Sequence, residues 1–171
     1  MFYVIMYLAA IVLANLSVAQ WGPSVAILNA FLFIGLDLSA RDALHEQWHR
    51  RNLTVKMGAL IASGSILSWF LNRRAGQIAL ASFLAFASAA IVDAVAYQRL
   101  YGRSRWQKIN GSNVLSAAVD SIIFPVVAFG WPPLLPIIAG QFLAKLAGGV
   151  MWSWVIIRFY NRATAVIQEA S

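Results

Sequence analysis

The chain has no cysteine, which excludes a disulfide framework and any thiolate-based metal site. Charge is also scarce. Asp, Glu, Lys and Arg make up 11% of the residues, against about 25% in ordinary soluble domains. Only six residues are acidic and only two are histidine, so few groups could hold a metal or act as a general base. No G-x-x-x-x-G-K-[ST] run is present, so any coupling to ATP would require other subunits. No G-x-S-x-G elbow surrounds Gly64-Ser65, and nothing else suggests a serine nucleophile. No internal repeat or low-complexity stretch divides the chain, which reads as one domain over residues 1–171.

Apolar residues are what the chain does have. They account for 61% of it, and the mean hydropathy is +0.71. A soluble core of 171 residues cannot hide that much apolar surface, because surface falls too slowly relative to volume. Lipid is the solvent that suits this composition. A helix needs about 20 residues to span the hydrocarbon. Apolar runs of that order predict an all-α integral membrane protein, a bundle of about six transmembrane helices, at residues 2–20, 24–38, 56–71, 77–98, 112–130 and 134–159. The second run could continue as an amphipathic segment to residue 51. Turns are expected at 21–23, 72–74 and 131–133, where Gly, Pro and Asn gather. The first run has no basic segment before it and no small-residue cleavage site after it, and is read as a retained helix.

The net charge is +7. In a soluble protein that value would suggest nucleic acid. Here the basic residues fall between the apolar runs. Arg41, Arg50, Arg51 and Lys56, then Arg99, Arg103, Arg105 and Lys108, then Arg158 and Arg162 share one face of a six-span topology, and only Arg73 and Arg74 take the other. Cytoplasmic loops concentrate Lys and Arg. Both termini are therefore expected in the cytoplasm of a bacterial-type inner membrane, with no nucleic-acid partner.

Polar residues inside apolar helices are costly and carry most of the functional information. Asp120 precedes Pro132 by about as many residues as Lys145 follows it, so an antiparallel hairpin sets both at one depth, where each charge needs the other. Asn15 and Asn29 stand equally far from Gly22. Gln141 lies one turn from Lys145, Ser82 falls at a similar depth on the fourth helix, and Trp69 sits near the outer end of the third. Together they predict a layer of amides above an ion pair, able to read the donor and acceptor edges of a planar heterocycle, with aromatic rings for its faces. Helix-to-helix glue is the other reading of the same residues. Nearer the cytoplasmic ends, Asp37 and Arg41 are spaced for an i,i+4 pair. Asp93 lies on the inner part of the fourth helix, within reach of Arg41 or Lys56. A gate is one reading of these three and surface pairing another. Small residues four apart, as at Ala10 and Ala14 or around Gly148, permit close helix packing.

One motif points elsewhere. His45-Glu46-Gln47-Trp48-His49 matches H-E-x-x-H, which on a helix would hold zinc with Glu46 as base. A third ligand would have to come from a distant carboxylate, and Arg50 and Arg51 would repel a dication. No metal and no cofactor are expected.

The run from Phe31 through Asp37-Leu-Ser-Ala-Arg41 resembles the aromatic-rich segment of the VUT family, the vitamin-uptake-like queuosine-precursor transporters. Ala81-Ser82-Phe83-Leu-Ala85-Phe86, continuing to Asp93, looks like that family's fourth helix. Asn113 through Asp120-Ser121 to Ala128-Phe129 is similar to its fifth, and Lys145 falls where its last helix carries a lysine. The histidine pair is not part of that pattern. The resemblance implies a six-helix bundle similar to the substrate-binding components of energy-coupling-factor transporters, and a purine-like cargo, a 7-deazaguanine queuosine precursor. An uptake transporter with a small-molecule substrate is thus the leading expectation, with an energising membrane partner as an option. The alternatives are an intramembrane zinc metalloprotease using His45, Glu46 and His49, and a non-transporting membrane adaptor.

Overall fold

The computed structural model describes residues 2–37, 40, 44, 53–100, 102 and 105–169. Arg41 and the H-E-x-x-H residues His45, Glu46 and His49 lie outside the described residues. Every element among the described residues is helical.

The first helix, α1, runs Phe2–Trp21. It contains no charged residue, and at 1.5 Å per residue its 20 residues reach about 30 Å, the thickness of the hydrocarbon. Its inner stripe is Tyr7, Ala10, Ile11, Ala14, Asn15 and Val18, spaced three and four apart, while Phe2, Ile5 and Leu13 are exposed. Gly22 adopts φ +67°, which a side chain would disfavour. Pro23 then opens a 3-10 turn over Gly22–Val25. α2 covers Ala26–Asn29 and passes directly into a π-helical turn over Ala30–Ile34. α3 runs Leu53–Leu71. Asn72 is extended, and its side chain accepts from Arg74 N at 3.0 Å, starting a 3-10 turn over Arg73–Ala75. α4 follows over Gly76–Arg99 and α5 over Arg105–Phe129, with Pro125 inside it. Gly130, at φ +84°, and a cis Trp131–Pro132 bond turn the chain into α6, Leu135–Glu169.

By length and apolarity four segments could cross a membrane: Phe2–Asp37, Arg73–Ala96, Gly111–Phe129 and Leu135–Trp152. Val55–Leu71 is a shorter apolar helix. That count is five, where the sequence predicted six. The difference lies in the first segment. The turn at Gly22 is itself helical, so no irregular residue divides α1 from α2. The segment nevertheless folds back on itself. Asn29 Nδ2 donates to Ala14 O at 3.2 Å, although fifteen residues of straight helix would hold them about 22 Å apart.

α4 and α5 form the most extensive helix pair, α1 packs on α3, and the π turn packs on α6. The last crossing is tight. A Cβ at Gly35 would stand 2.6 Å from the Gly148 carbonyl carbon, and one at Gly148 would collide with Phe31 O. Only glycine lets the backbones meet so closely.

Two apolar clusters fill the bundle. One lies at the end bearing the turns at Gly22, Asn72 and Gly130. It holds Val18, Ile78, Ala81 and Ala128, with Phe124 and Phe129 packed against them. The other lies towards the opposite end and holds Tyr7, Ile11, Leu44, Met57, Ile61 and Phe86, with Ile34 packed against them.

Candidate functional site

Between the clusters lies a small, partly open cavity, walled by α1, α2 with its π turn, α4, α5 and α6. Its polar lining is Asn15, Asn29, Ser82, Asp120, Gln141 and Lys145. All six are nearly fully buried.

Asn15 ties three helices together. Its Nδ2 donates to Ser68 Oγ on α3 at 3.1 Å, and its Oδ1 accepts from Ser82 Oγ on α4 at 2.5 Å. Ser68 spends its own hydrogen on Gly64 O at 2.7 Å, so its oxygen can only accept from the amide. That chain of donors fixes which end of Asn15 faces which helix. Asn29 is held by one end. Its Nδ2 donates to Ala14 O at 3.2 Å and to Ser17 Oγ at 2.6 Å. A carbonyl can only accept, so the nitrogen must face α1. No donor to Asn29 Oδ1 is found among the described residues.

Lys145 Nζ lies 2.7 Å from Asp120 Oδ2, the pair that the hairpin spacing anticipates. It also donates to Ser121 Oγ at 3.1 Å and, at the long limit, to Gln141 Oε1 at 3.5 Å. The side chains of Lys145 and Asp120 are only 3% and 9% exposed. At that burial the attraction offsets a desolvation cost of several kcal/mol per ion. The ammonium also sets the Gln141 amide, since it needs an oxygen towards it. Gln141 Nε2 is then buried with no hydrogen-bond partner, and Asp120 Oδ1 has none among the described residues. Buried polar groups in folded proteins are nearly always paired. Here one buried donor, Gln141 Nε2, remains unpaired, and the residues carrying the acceptors Asp120 Oδ1 and Asn29 Oδ1 line the same cavity from two other helices. A flat molecule with an acceptor beside donors on one edge would satisfy them.

Six of the seven residues proposed from the sequence as ligand contacts thus share one cavity. Trp69 does not join them. It is 41% exposed at the end of α3, with the Arg73 guanidinium 4.0 Å from its ring centroid and Phe70 packed edge-on. Its position one residue after Ser68 turns it away from the bundle. Asp37 is buried beyond the π turn, and Asp93 keeps one carboxylate oxygen buried without a hydrogen bond on the inner half of α4. Neither lines the cavity.

Sequence reasoning passed over Ser68, which supports Asn15, and the apolar caps Val18, Ile34, Phe86 and Phe124. A usable signal existed for two of them. Phe86 and Phe124 each stand one turn from a polar wall residue, Ser82 and Asp120, which puts ring and polar group on one helix face.

The sequence model of the family described as "Putative vitamin uptake transporter" matches residues 1–159. No curated protein and no solved structure matches the chain. Apolar helices of membrane-crossing length, a buried polar cavity between them and a family match over most of the sequence agree, and the chain belongs to the vitamin uptake transporter family of multi-pass membrane proteins.

Proposed function

We propose that this transporter takes up a small planar heterocycle, a 7-deazaguanine queuosine precursor, and binds it in the cavity between the two apolar clusters. The observation that carries the reading is the buried, unpaired Gln141 Nε2 in a cavity that Asp120 and Asn29 also line. Asp120 Oδ1 and Asn29 Oδ1 accept from ring N–H and exocyclic amino groups. Gln141 Nε2 donates to a ring carbonyl. That pattern suits a guanine-type edge and opposes an adenine-type one. Phe86 and Phe124 cover the ligand's faces.

The reading includes six crossings, because the fold-back at Gly22 turns the first apolar segment into two antiparallel legs. With six crossings the basic residues between the helices, Arg73 and Arg74 excepted, fall on the side of the termini, so both termini are cytoplasmic in a bacterial-type inner membrane and the turns at Gly22, Asn72 and Gly130 face outward. Energy for uptake then comes from an ion gradient or from a membrane partner. The likeness to energy-coupling-factor binding components belongs to the same proposal.

The test is thermal unfolding of purified protein with 7-deazaguanines, guanine, adenine and common vitamins. A ligand that binds only the folded state raises the midpoint in proportion to RT ln(1 + [L]/Kd). Stabilisation by deazaguanines but not by adenine is expected. Stabilisation by a vitamin alone would replace the cargo, and stabilisation by none would favour an adaptor.

A further inference from the structure

We infer that transport is gated by two pairs of apolar residues, Val18 with Phe124 towards the Gly22 end and Ile34 with Phe86 towards the opposite end. This rests on the transporter reading but not on its cargo.

The cavity wall repeats one arrangement on four helices. A polar or small residue faces the middle, and an apolar one stands a turn further along: Asn15 then Val18, Ala30 then Ile34, Ser82 then Phe86, Asp120 then Phe124. α1 and α5 run towards the Gly22 end, so Val18 and Phe124 cap that side. α2 and α4 run away from it, so Ile34 and Phe86 cap the other. Each capping residue also belongs to, or packs on, the apolar cluster beyond it. Val18 and Phe124 belong with the cluster at the Gly22 end, and Ile34 and Phe86 with the cluster at the opposite end. A solute leaving the polar ring must therefore push through either the first cluster or the second, and these four side chains are the first to move.

Both pairs stand beside a break in regular helix geometry. Phe124 precedes Pro125, which is buried within α5. Proline has no N–H, so the Ser121 carbonyl lacks its helical donor and the tip of α5 is hinged just past Asp120. Ile34 ends the π-helical turn over Ala30–Ile34, and such turns are points where a helix can shift register. In each case the irregular turn, Ser121 to Pro125 or Ala30–Ile34, begins directly after a polar wall residue, Asp120 or Asn29, and contains the apolar tip. Each tip can swing while the wall keeps its geometry. The two clusters differ in bulk. The one at the Gly22 end is built largely on alanine and valine, the opposite one on Tyr, Leu, Met, Ile and Phe. Less buried area must be exposed to open the Gly22 side, so the resting protein opens there more readily.

Because the chain has no native cysteine, Ala30→Cys places a single thiol on the cavity wall, where Ala30 is 1% exposed. A small membrane-impermeant methanethiosulfonate is applied to right-side-out and to inverted vesicles. A separate Trp21→Cys control, at an exposed residue, identifies which vesicle face carries the Gly22 end. Phe124→Ala should raise the Ala30→Cys labelling rate severalfold from the Gly22 face only. Phe86→Ala should raise it severalfold from the other face only. Pro125→Ala restores the missing helical donor and should slow labelling from the Gly22 face, in a protein that elutes as a single peak and unfolds at no lower temperature. Both alanine variants opening the same face, or neither changing the rate while Trp21→Cys reacts, overturns the gate. An unchanged rate with Pro125→Ala overturns the hinge. No ligand enters the measurement, so a failed cargo assignment and a failed gate give different results. If the faces prove exchanged relative to the cytoplasm, the orientation falls and the gate stands.

Discussion

Asp120 on α5 and Lys145 on α6 meet at 2.7 Å across a hairpin whose turn is built from Gly130 to Pro133. Neither side chain is more than 9% exposed, so each charge depends on the other. Asp120→Asn should leave a buried, uncompensated ammonium and cost about 3–5 kcal/mol, as should Lys145→Met in leaving the carboxylate. The double substitution should recover most of the folded protein in detergent but not uptake, because the carboxylate that reads the ligand's donors is gone. Two harmless single changes would show that the charges face separate water-filled spaces.

Ser68 does not line the cavity, yet it holds the amide that does. Ser68→Ala removes the acceptor for Asn15 Nδ2. Stability should fall by about 1 kcal/mol, the usual scale of an interhelical hydrogen bond in a membrane. Ligand affinity should fall further, because Asn15 is then free to rotate. Isothermal titration of the purified variant separates the two effects. Equal loss in both would make Ser68 helix glue only.

The crossing of the π turn and α6 tolerates no side chain at Gly148. A methyl group there would meet Phe31 O. Gly148→Ala should cost about 1–3 kcal/mol from overpacking, and Gly148→Leu should abolish the folded peak in size-exclusion chromatography. Gly58 makes a fair control, since nothing lies within 4 Å of its added Cβ. Gly58→Ala should be neutral or slightly stabilising.

Trp69 is outside the cavity and carries Arg73 on its ring. Trp69→Ala should leave ligand binding unchanged and cost at most about 1 kcal/mol, the strength of an exposed cation–π contact. A loss of affinity as large as that of Asn15→Ala would bring Trp69 into the site and move the ligand towards the Asn72 turn.

A fluorescent reporter fused after Ser171 should report a cytoplasmic location, and one inserted at the Asn72 turn should stay dark. The opposite result would invert the bundle, and a cytoplasmic signal at both sites would remove one crossing.

Depth along the bundle was legible without any structure. The rise of a helix is constant at 1.5 Å per residue, so residues equally distant from a turn must meet at one level. Asp120 with Lys145, and Asn15 with Asn29, follow from that arithmetic alone. The turns themselves were written in Gly22-Pro23, Asn72 and Gly130-Trp131-Pro132, since Gly22 and Gly130 take positive φ values that few other residues accept and Asn, Gly and Pro are the residues that favour turns. The helical class followed from composition, because a chain this apolar can satisfy its backbone in lipid only by closing hydrogen bonds within each segment. Rotation about each helix axis was not legible. α1 and α3 both distribute their apolar residues almost evenly around the helix axis, α3 even more so than α1. No polar face therefore announces which side turns inward. That choice rests on contacts between helices distant in sequence, such as Asn15 with Ser68 and Phe31 with Gly148. It took Ser68 into the network and left Trp69 outside it, although the two are adjacent, because one residue of helix turns a side chain by about 100°. The division of the first apolar segment was likewise a tertiary matter. Its turn keeps helical hydrogen bonding, and the bonds from Asn29 back to Ala14 and Ser17 reveal that the chain has reversed.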